Sequence, residues 1–201
     1  MHIDNQFMWE YYKKVIDHIR DHVYKIKRRN KKEMNEITNV PTAQNDKIEL
    51  MRSNFEHRAT WMGLIYDEAK TRDIDLEETI RAAILKTGCI HGGPIKASLP
   101  ADATVKDFAL TFLNDNGVKC FQMTFPQITA EKVDVEFGFC PLVSAWQKLG
   151  FDQKTIVKLC DMAMDGDRGI AETAGIDFKL GETIAKGHSC CELHFSKPTS
   201  K

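Results

Sequence analysis

The chain has 201 residues, 42% of them hydrophobic and 28% charged, and a formal net charge of −1. That length suits one domain, or one domain with an attached helical part, and is ample for a core. The balanced charge gives no case for a nucleic-acid partner. No apolar run approaches the roughly 20 residues that span a bilayer, and no signal-like start is visible, so the chain reads as cytoplasmic with no membrane partner.

Residues 5–37 carry Phe7, Met8, Tyr11, Tyr12, Val15, Ile16, Ile19, Val23 and Ile26 at helical spacing, which predicts an amphipathic helix. Its aromatic cluster suits packing against a second copy, a homo-oligomer, or docking onto its own domain. The basic run over 25–32 reads as a solvated face. Asn39-Val40-Pro41 breaks the pattern. A second helix is predicted over 45–70, with Ile48, Met51, Phe55, Trp61, Met62, Ile65 and Tyr66 inward. A third opens at Asp75-Leu76-Glu77-Glu78 and ends at Gly88. The chain thus divides into a helical region, 1–72, and an α+β region, 73–201.

Beyond Gly88 the pattern changes. Phe108, Leu110 and Phe112 alternate with polar neighbours and are followed by Asn114-Asp115-Asn116-Gly117, which predicts a hairpin into a strand over 118–125. Another strand is predicted over 133–139. Helices follow over 141–149 and 153–165, separated by Gly150 with Asp152 as cap, and hairpin strands close the chain over 176–195. Helices followed by a mostly antiparallel sheet with an inserted helix pair make an α+β fold.

Six cysteines, at 89, 120, 140, 160, 190 and 191, must be core fillers, metal ligands or reactive thiols if the compartment is reducing. If a strand ends at Phe139, Cys140 is the N-cap of a helix that Pro141 opens. A thiol facing free N–H groups and a positive dipole end is expected to have a lowered pKa, suited to attack or ligation. Cysteine also serves as a small core residue, so a packing role stays open. Cys160 lies seven residues before Asp167, close to two helical turns, and would share a face with it if Gly166 did not fray the helix.

In Gly187-His188-Ser189-Cys190-Cys191-Glu192-Leu193-His194-Phe195, strand alternation sends Cys191, Leu193 and Phe195 to the core side. His188, Cys190, Glu192 and His194 point the other way. His188 suits proton transfer. The chain has no C-x-x-C spacing, so thiolate-bound zinc is the minor alternative to a cofactor-free site. His91-Gly92-Gly93 after the third helix offers loop N–H groups that can approach a substrate closely, or else a plain helix-ending loop.

Cys140-Pro141-Leu142, then Leu159-Cys160 with Asp167 downstream, then Thr183-Ile184-Ala185-Lys186-Gly187 and Cys191-Glu192-Leu193-His194-Phe195, resemble the L-2-amino-thiazoline-4-carboxylic acid hydrolase family of small bacterial proteins. The resemblance covers roughly residues 135–195. It implies hydrolysis of a C–N bond in a small cyclic amidine or amide substrate, and its motif positions fall on Cys140, Cys160, Asp167, Gly187 and Cys191. His188 stands where the family pattern has an acid, and Cys190 adds a thiol. On this reading Cys140 is the nucleophile, Asp167, His188 and Cys160 serve the chemistry, and His91, Gly92, Gly93, Cys191 and Glu192 bind substrate. The ending also resembles the vinyl-reductase-type sensor domains, which implies, as an alternative, a non-catalytic pocket for a small ligand.

Overall fold

The computed structural model describes residues 37–42 and 45–198, together with Lys14, Asp17 and Asp21. The helix predicted over 5–37, and the oligomer contact assigned to it, lie almost wholly outside these residues. α1 (Asp46–Thr71) starts where Asn45 accepts the Ile48 N–H, and Asp46, Glu49 and Lys70 suit the dipole at its two ends. Its inward face differs from the predicted one. Trp61 and Ile65 are exposed, while Ala59 and Gly63 are buried. The bulk comes from the partner helix. A Cβ on Gly63 would stand 2.7 Å from the Phe151 ring, and Trp146 donates its indole N–H to the Ala59 carbonyl at 2.9 Å.

α2 (Glu77–Ser98) begins near the predicted point, where Asp75 accepts the Glu77 N–H, but continues ten residues past Gly88. The expected loop at His91-Gly92-Gly93 is therefore helix. Its glycines answer a packing demand instead. A Cβ on Gly88 would lie 2.1 Å from the Gly166 carbonyl oxygen, and one on Gly92 would lie 2.8 Å from Thr173 Cβ. α2 thus presses its backbone against the later helix that carries Gly166 and Thr173.

Up to Phe121 the predicted hairpin over 107–125 is two short helices, α3 (Val105–Phe112) and α4 (Asp115–Phe121), and only its last three residues, 123–125, are strand. Thr104 and Asp107 form a reciprocal capping box, and Asn114 Oδ1 accepts the Asn116 and Gly117 N–H groups. The Asn-Asp-Asn-Gly stretch is thus a helix start rather than a turn between strands. Phe108 and Phe112, four apart, share a helical face against Phe195 at centroid distances of 5.6 and 6.1 Å, whereas Leu110 turns outward.

β1 (Met123–Ile128) pairs with β2 (Lys132–Phe137), which ends two residues before the predicted Phe139. α5 (Pro141–Leu149) and α6 (Gln153–Ala163) follow as predicted, joined by Gly150 at φ 80° and capped by Asp152. The chain then bends at Met164 and restarts as α7 (Asp165–Ala174), so three helices rather than two are inserted. β3 (Asp177–Leu180), a 3-10 turn (Ile184–Lys186) and β4 (Cys191–Ser196) complete it.

The four strands run antiparallel in the order β1-β2-β4-β3, an α+β fold. One sheet face, with Val133, Val135, Cys191, Leu193 and Phe195, is sealed in the core; Asp134, Glu192 and His194 lie on the other. Among the described residues no helix is long and apolar enough to cross a membrane.

The glycine contacts make a paired prediction for chemical denaturation. Gly88→Ala must force α2 from α7 and should cost about 1–3 kcal/mol. Gly93→Ala, whose Cβ meets nothing within 4 Å, should cost nothing measurable.

Candidate functional site around Cys140, Cys160, Cys191 and Asp167

Antiparallel register builds the site. Phe137, the last residue of β2, lies opposite Cys191, the first of β4, so the chain leaving β2 delivers Cys140 beside it. Cys140 is the extended N-cap of α5, with Pro141 at the first helical position, as expected. Its backbone is held from an unexpected direction. Asn39 accepts the Cys140 N–H and donates its amide to the Cys140 carbonyl, both at 2.9 Å. Asn39 had been read only as part of a helix break.

Cys160 comes from α6 and Asp167 from the first turn of α7. Because the chain bends at Met164 rather than fraying at Gly166, Asp167 stays helical and turns back toward the thiols. Cys140, Cys160 and Cys191 are all buried, and Asp167 is partly so. Cys191 Sγ accepts the Ile184 N–H at 3.3 Å, which ties β4 to the 3-10 turn.

The charge state of Cys140 is opposite to the expectation from its helix position. Burial pushes the thiol up to about 11, and this outweighs the Leu142 and Val143 N–H groups, which pull it down; the Asp167 carboxylate adds to the rise. Burial likewise drives Cys191 up to about 12, with Cys140 a further cause. Cys160 is held well above the usual thiol range, first by burial and then by Cys140 and Cys191. At neutral pH these are three protonated thiols, not a resting thiolate. Asp167 is pushed up to about 6 by burial, against the opposing pull of Arg58. Arg58, on α1, also draws Cys140 down. Nothing in the local pattern around Arg58 marks it as part of this cluster.

The remaining sequence candidates lie elsewhere. His188 follows the 3-10 turn and pairs through Nε2 with Glu182 at 2.8 Å, both half-exposed, so the closing hairpin does not fold it over the helices. His91 is exposed on α2, and Gly92 and Gly93 are helical. Glu192 sits on the outer sheet face with its carboxylate 3.9 Å from His194 Nε2, on the side opposite Cys191. Cys191 and Glu192 therefore cannot line one pocket. Cys190 precedes β4 rather than joining its outward row. Among the described residues, no group of three or more His, Cys, Asp or Glu is placed to hold a metal ion.

A surface cleft of about 480 Å³ reaches the cluster from outside. It opens between α2, α6, α7 and the 3-10 turn, and Cys160 forms part of its wall. Its rim carries an ion-pair lattice. Arg81 binds Glu77 at 3.1 Å, Asp161 at 2.7 Å and Asp165 at 3.1 Å. Arg168 binds Asp161 at 2.7 Å and Asp165 at 2.6 Å.

Two outcomes follow. Under limiting alkylation at pH 7, read by peptide mass, the partly exposed Cys89 and Cys190 should label well before Cys140, Cys160 and Cys191, because protonated buried thiols react slowly. Asp167 sets a pH effect. Its folded pKa of about 6 lies above the ordinary carboxylate value near 3.9, so its contribution is full below that lower value and is lost as pH rises through the folded one. The loss amounts to at most about 3 kcal/mol. Asp134, Asp161 and Glu77 have lowered pKa values and act in the opposite sense, so the comparison must be with a variant. Denaturation at pH 4.5 and 7.5 should show Asp167→Asn gaining about 2 kcal/mol relative to the parent over that interval.

Comparison with known proteins agrees with the sequence motifs. A family profile described as L-2-amino-thiazoline-4-carboxylic acid hydrolase matches residues 52–195. No curated protein matches the chain. A crystal structure of a trafficking protein particle complex subunit 3 from Naegleria fowleri, covalently bound to palmitic acid, is similar with a TM-score of 0.49 and 14% identity. That alignment covers 73% of this chain and 96% of the other, and at this level it carries no argument. The family match extends over more than two thirds of the sequence, from α1 through β4, and takes in all four members of the buried cluster: the chain belongs to the L-2-amino-thiazoline-4-carboxylic acid hydrolase family.

Proposed function

We propose that the protein is a hydrolase that opens a small cyclic amidine or amide by C–N bond hydrolysis, with Cys140 as nucleophile and Asp167 as the proton carrier. The observation that supports this reading most is the coupling of a buried thiol to a partly buried carboxyl titrating near 6, within a family named for such a hydrolase. At pH 7 Asp167 is mostly ionised and basic enough to accept a proton.

Moving a proton from Cys140, at about 11, to Asp167, at about 6, costs about 7 kcal/mol in the resting protein. The transfer therefore accompanies bond formation rather than preceding it. Cys140 Sγ adds to the amidine carbon as its proton passes to Asp167. The ring C–N bond then breaks and the nitrogen takes that proton, which leaves the opened substrate joined to sulfur. Water adds to the same carbon, Asp167 relays its proton, the C–S bond breaks and the thiol is restored. The product is the substrate plus one water.

The Leu142 and Val143 N–H groups at the start of α5 stabilise negative charge where it develops at sulfur. Cys160 and Cys191 shape the pocket. No step needs a cofactor, and His188, held by Glu182, has no part in it.

The test is turnover of 2-amino-thiazoline-4-carboxylate. Cys140→Ser should lower kcat by at least about a thousandfold with circular dichroism unchanged, and Asp167→Asn by about 10²–10⁴. A Cys140→Ser protein that turns over normally removes the nucleophile. Tight binding of the ring with no product over hours would instead support the sensor reading, to which a pocket of neutral thiols is also suited.

A further inference from the structure

We infer that the outward face of α1 is the contact surface of a two-fold homodimer, with α1 of one copy packed antiparallel on α1 of a second. The inference does not depend on the hydrolase reading. α1 carries apolar side chains on two opposite sides. Ile48, Ala59, Gly63 and Ala69 are buried against the domain. Leu50, Trp61 and Ile65 point away from it and are 66%, 64% and 50% exposed. Helical periodicity puts these three on one stripe, with exposed Asn54 and His57 between them. The His57 ring lies against Trp61 at a centroid distance of 5.5 Å and widens the patch. A helix at the edge of a domain ordinarily turns a polar side to water, whereas an aligned row of Leu, Trp and Ile marks a contact surface.

The stripe is complementary to itself. About a two-fold axis that crosses α1 between His57 and Arg58, antiparallel packing sets Leu50 level with Ile65 of the second copy. Asn54 then stands level with Trp61 and Lys47 with Glu68, and each pair recurs on the other side of the axis. Apolar meets apolar, the indole N–H meets an amide, and at both rims an ammonium meets a carboxylate. Lys47 is exposed and forms no ion pair among the described residues. The half-exposed Glu68 carboxylate accepts Arg72 at 3.3 Å and has capacity for a second donor. Arg58 leans off the stripe, with its guanidinium over the Phe55 ring at 5.2 Å, so two arginines do not collide at the axis. Parallel packing would instead oppose Lys47 to Lys47 and Glu68 to Glu68. From Leu50 to Ile65 the stripe runs about 22 Å, which is short for a standard-size interface and suits a dimer of micromolar affinity. α1 contributes no residue to the cleft beside Cys160, so both clefts stay open.

Sedimentation velocity of the full chain, from about 1 to about 200 μM, tests this. The parent should move with concentration from the 22.9 kDa chain mass toward twice that value. Trp61→Glu with Ile65→Glu should stay monomeric throughout with circular dichroism unchanged, because both side chains are exposed. Lys47→Glu alone and Glu68→Lys alone should each weaken the dimer about tenfold by opposing like charges at both rims. Lys47→Glu combined with Glu68→Lys should restore the parent affinity, which only the antiparallel register allows. A parent that remains monomeric would give the stripe to a different protein or to another segment of this chain, and overturns the proposal. A dimer that survives Trp61→Glu with Ile65→Glu, or a charge exchange that fails to restore affinity, overturns it equally. Mass, not turnover, is read, so the result stands apart from the fate of Cys140 as nucleophile.

Discussion

The pairing of β2 with β4 constrains everything else in this molecule. Val133, Val135 and Phe137 lie opposite Phe195, Leu193 and Cys191, and the shared face is dry. A slip of one residue would turn the alternation inside out, bury Glu192 and His194, and expose Cys191. The aromatic contacts of Phe195 with Phe108, Phe112 and Phe178 oppose such a slip, because they require that ring to face α3 and β3. The register that packs the core is thus also the register that brings Cys140 to Cys191.

At Cys140 two effects compete. The start of a helix favours a thiolate, and the sequence puts Cys140 there with Pro141 behind it. Desolvation opposes it and wins, since the side chain is buried among other neutral groups and near a carboxylate that disfavours a second negative charge. The outcome is a thiol held in reserve. Asp167, though only partly buried, is also raised chiefly by desolvation, which makes it a stronger base than an exposed carboxylate. The pair is then suited to a proton transfer that happens only when an electrophilic carbon is present. Asn39, more than a hundred residues upstream in the chain, fixes the Cys140 backbone with both ends of its amide.

What was legible in the sequence follows from how local its causes are. The cap at Asp152, the Cys140-Pro141 start and the inward row of Cys191, Leu193 and Phe195 depend on neighbours within a few residues, and they read correctly. Phe108, Leu110 and Phe112 satisfied a strand period by coincidence, while the true signal was the i,i+4 pair. Asn114 to Gly117 suits either a hairpin turn or a helix cap, and only the contacts of α3 and α4 decide. Gly88 and Gly92 look like punctuation because their reason lies in α7, some eighty residues on. Arg58 could not be found at all, since its partners Asp167 and Cys140 are brought to it by tertiary structure. The family motifs were readable because they cluster around the short stretches that deliver the thiols.

The central claim is that a carbon–sulfur bond to Cys140 forms during turnover. Rapid acid quenching of the protein with 2-amino-thiazoline-4-carboxylate, followed by peptide mass analysis, tests it directly. The account predicts that the peptide carrying Cys140 transiently gains the mass of one whole substrate, because ring opening expels nothing. Product formation with no such species on Cys140 at any quench time, or with the added mass on Cys160 instead, would contradict it.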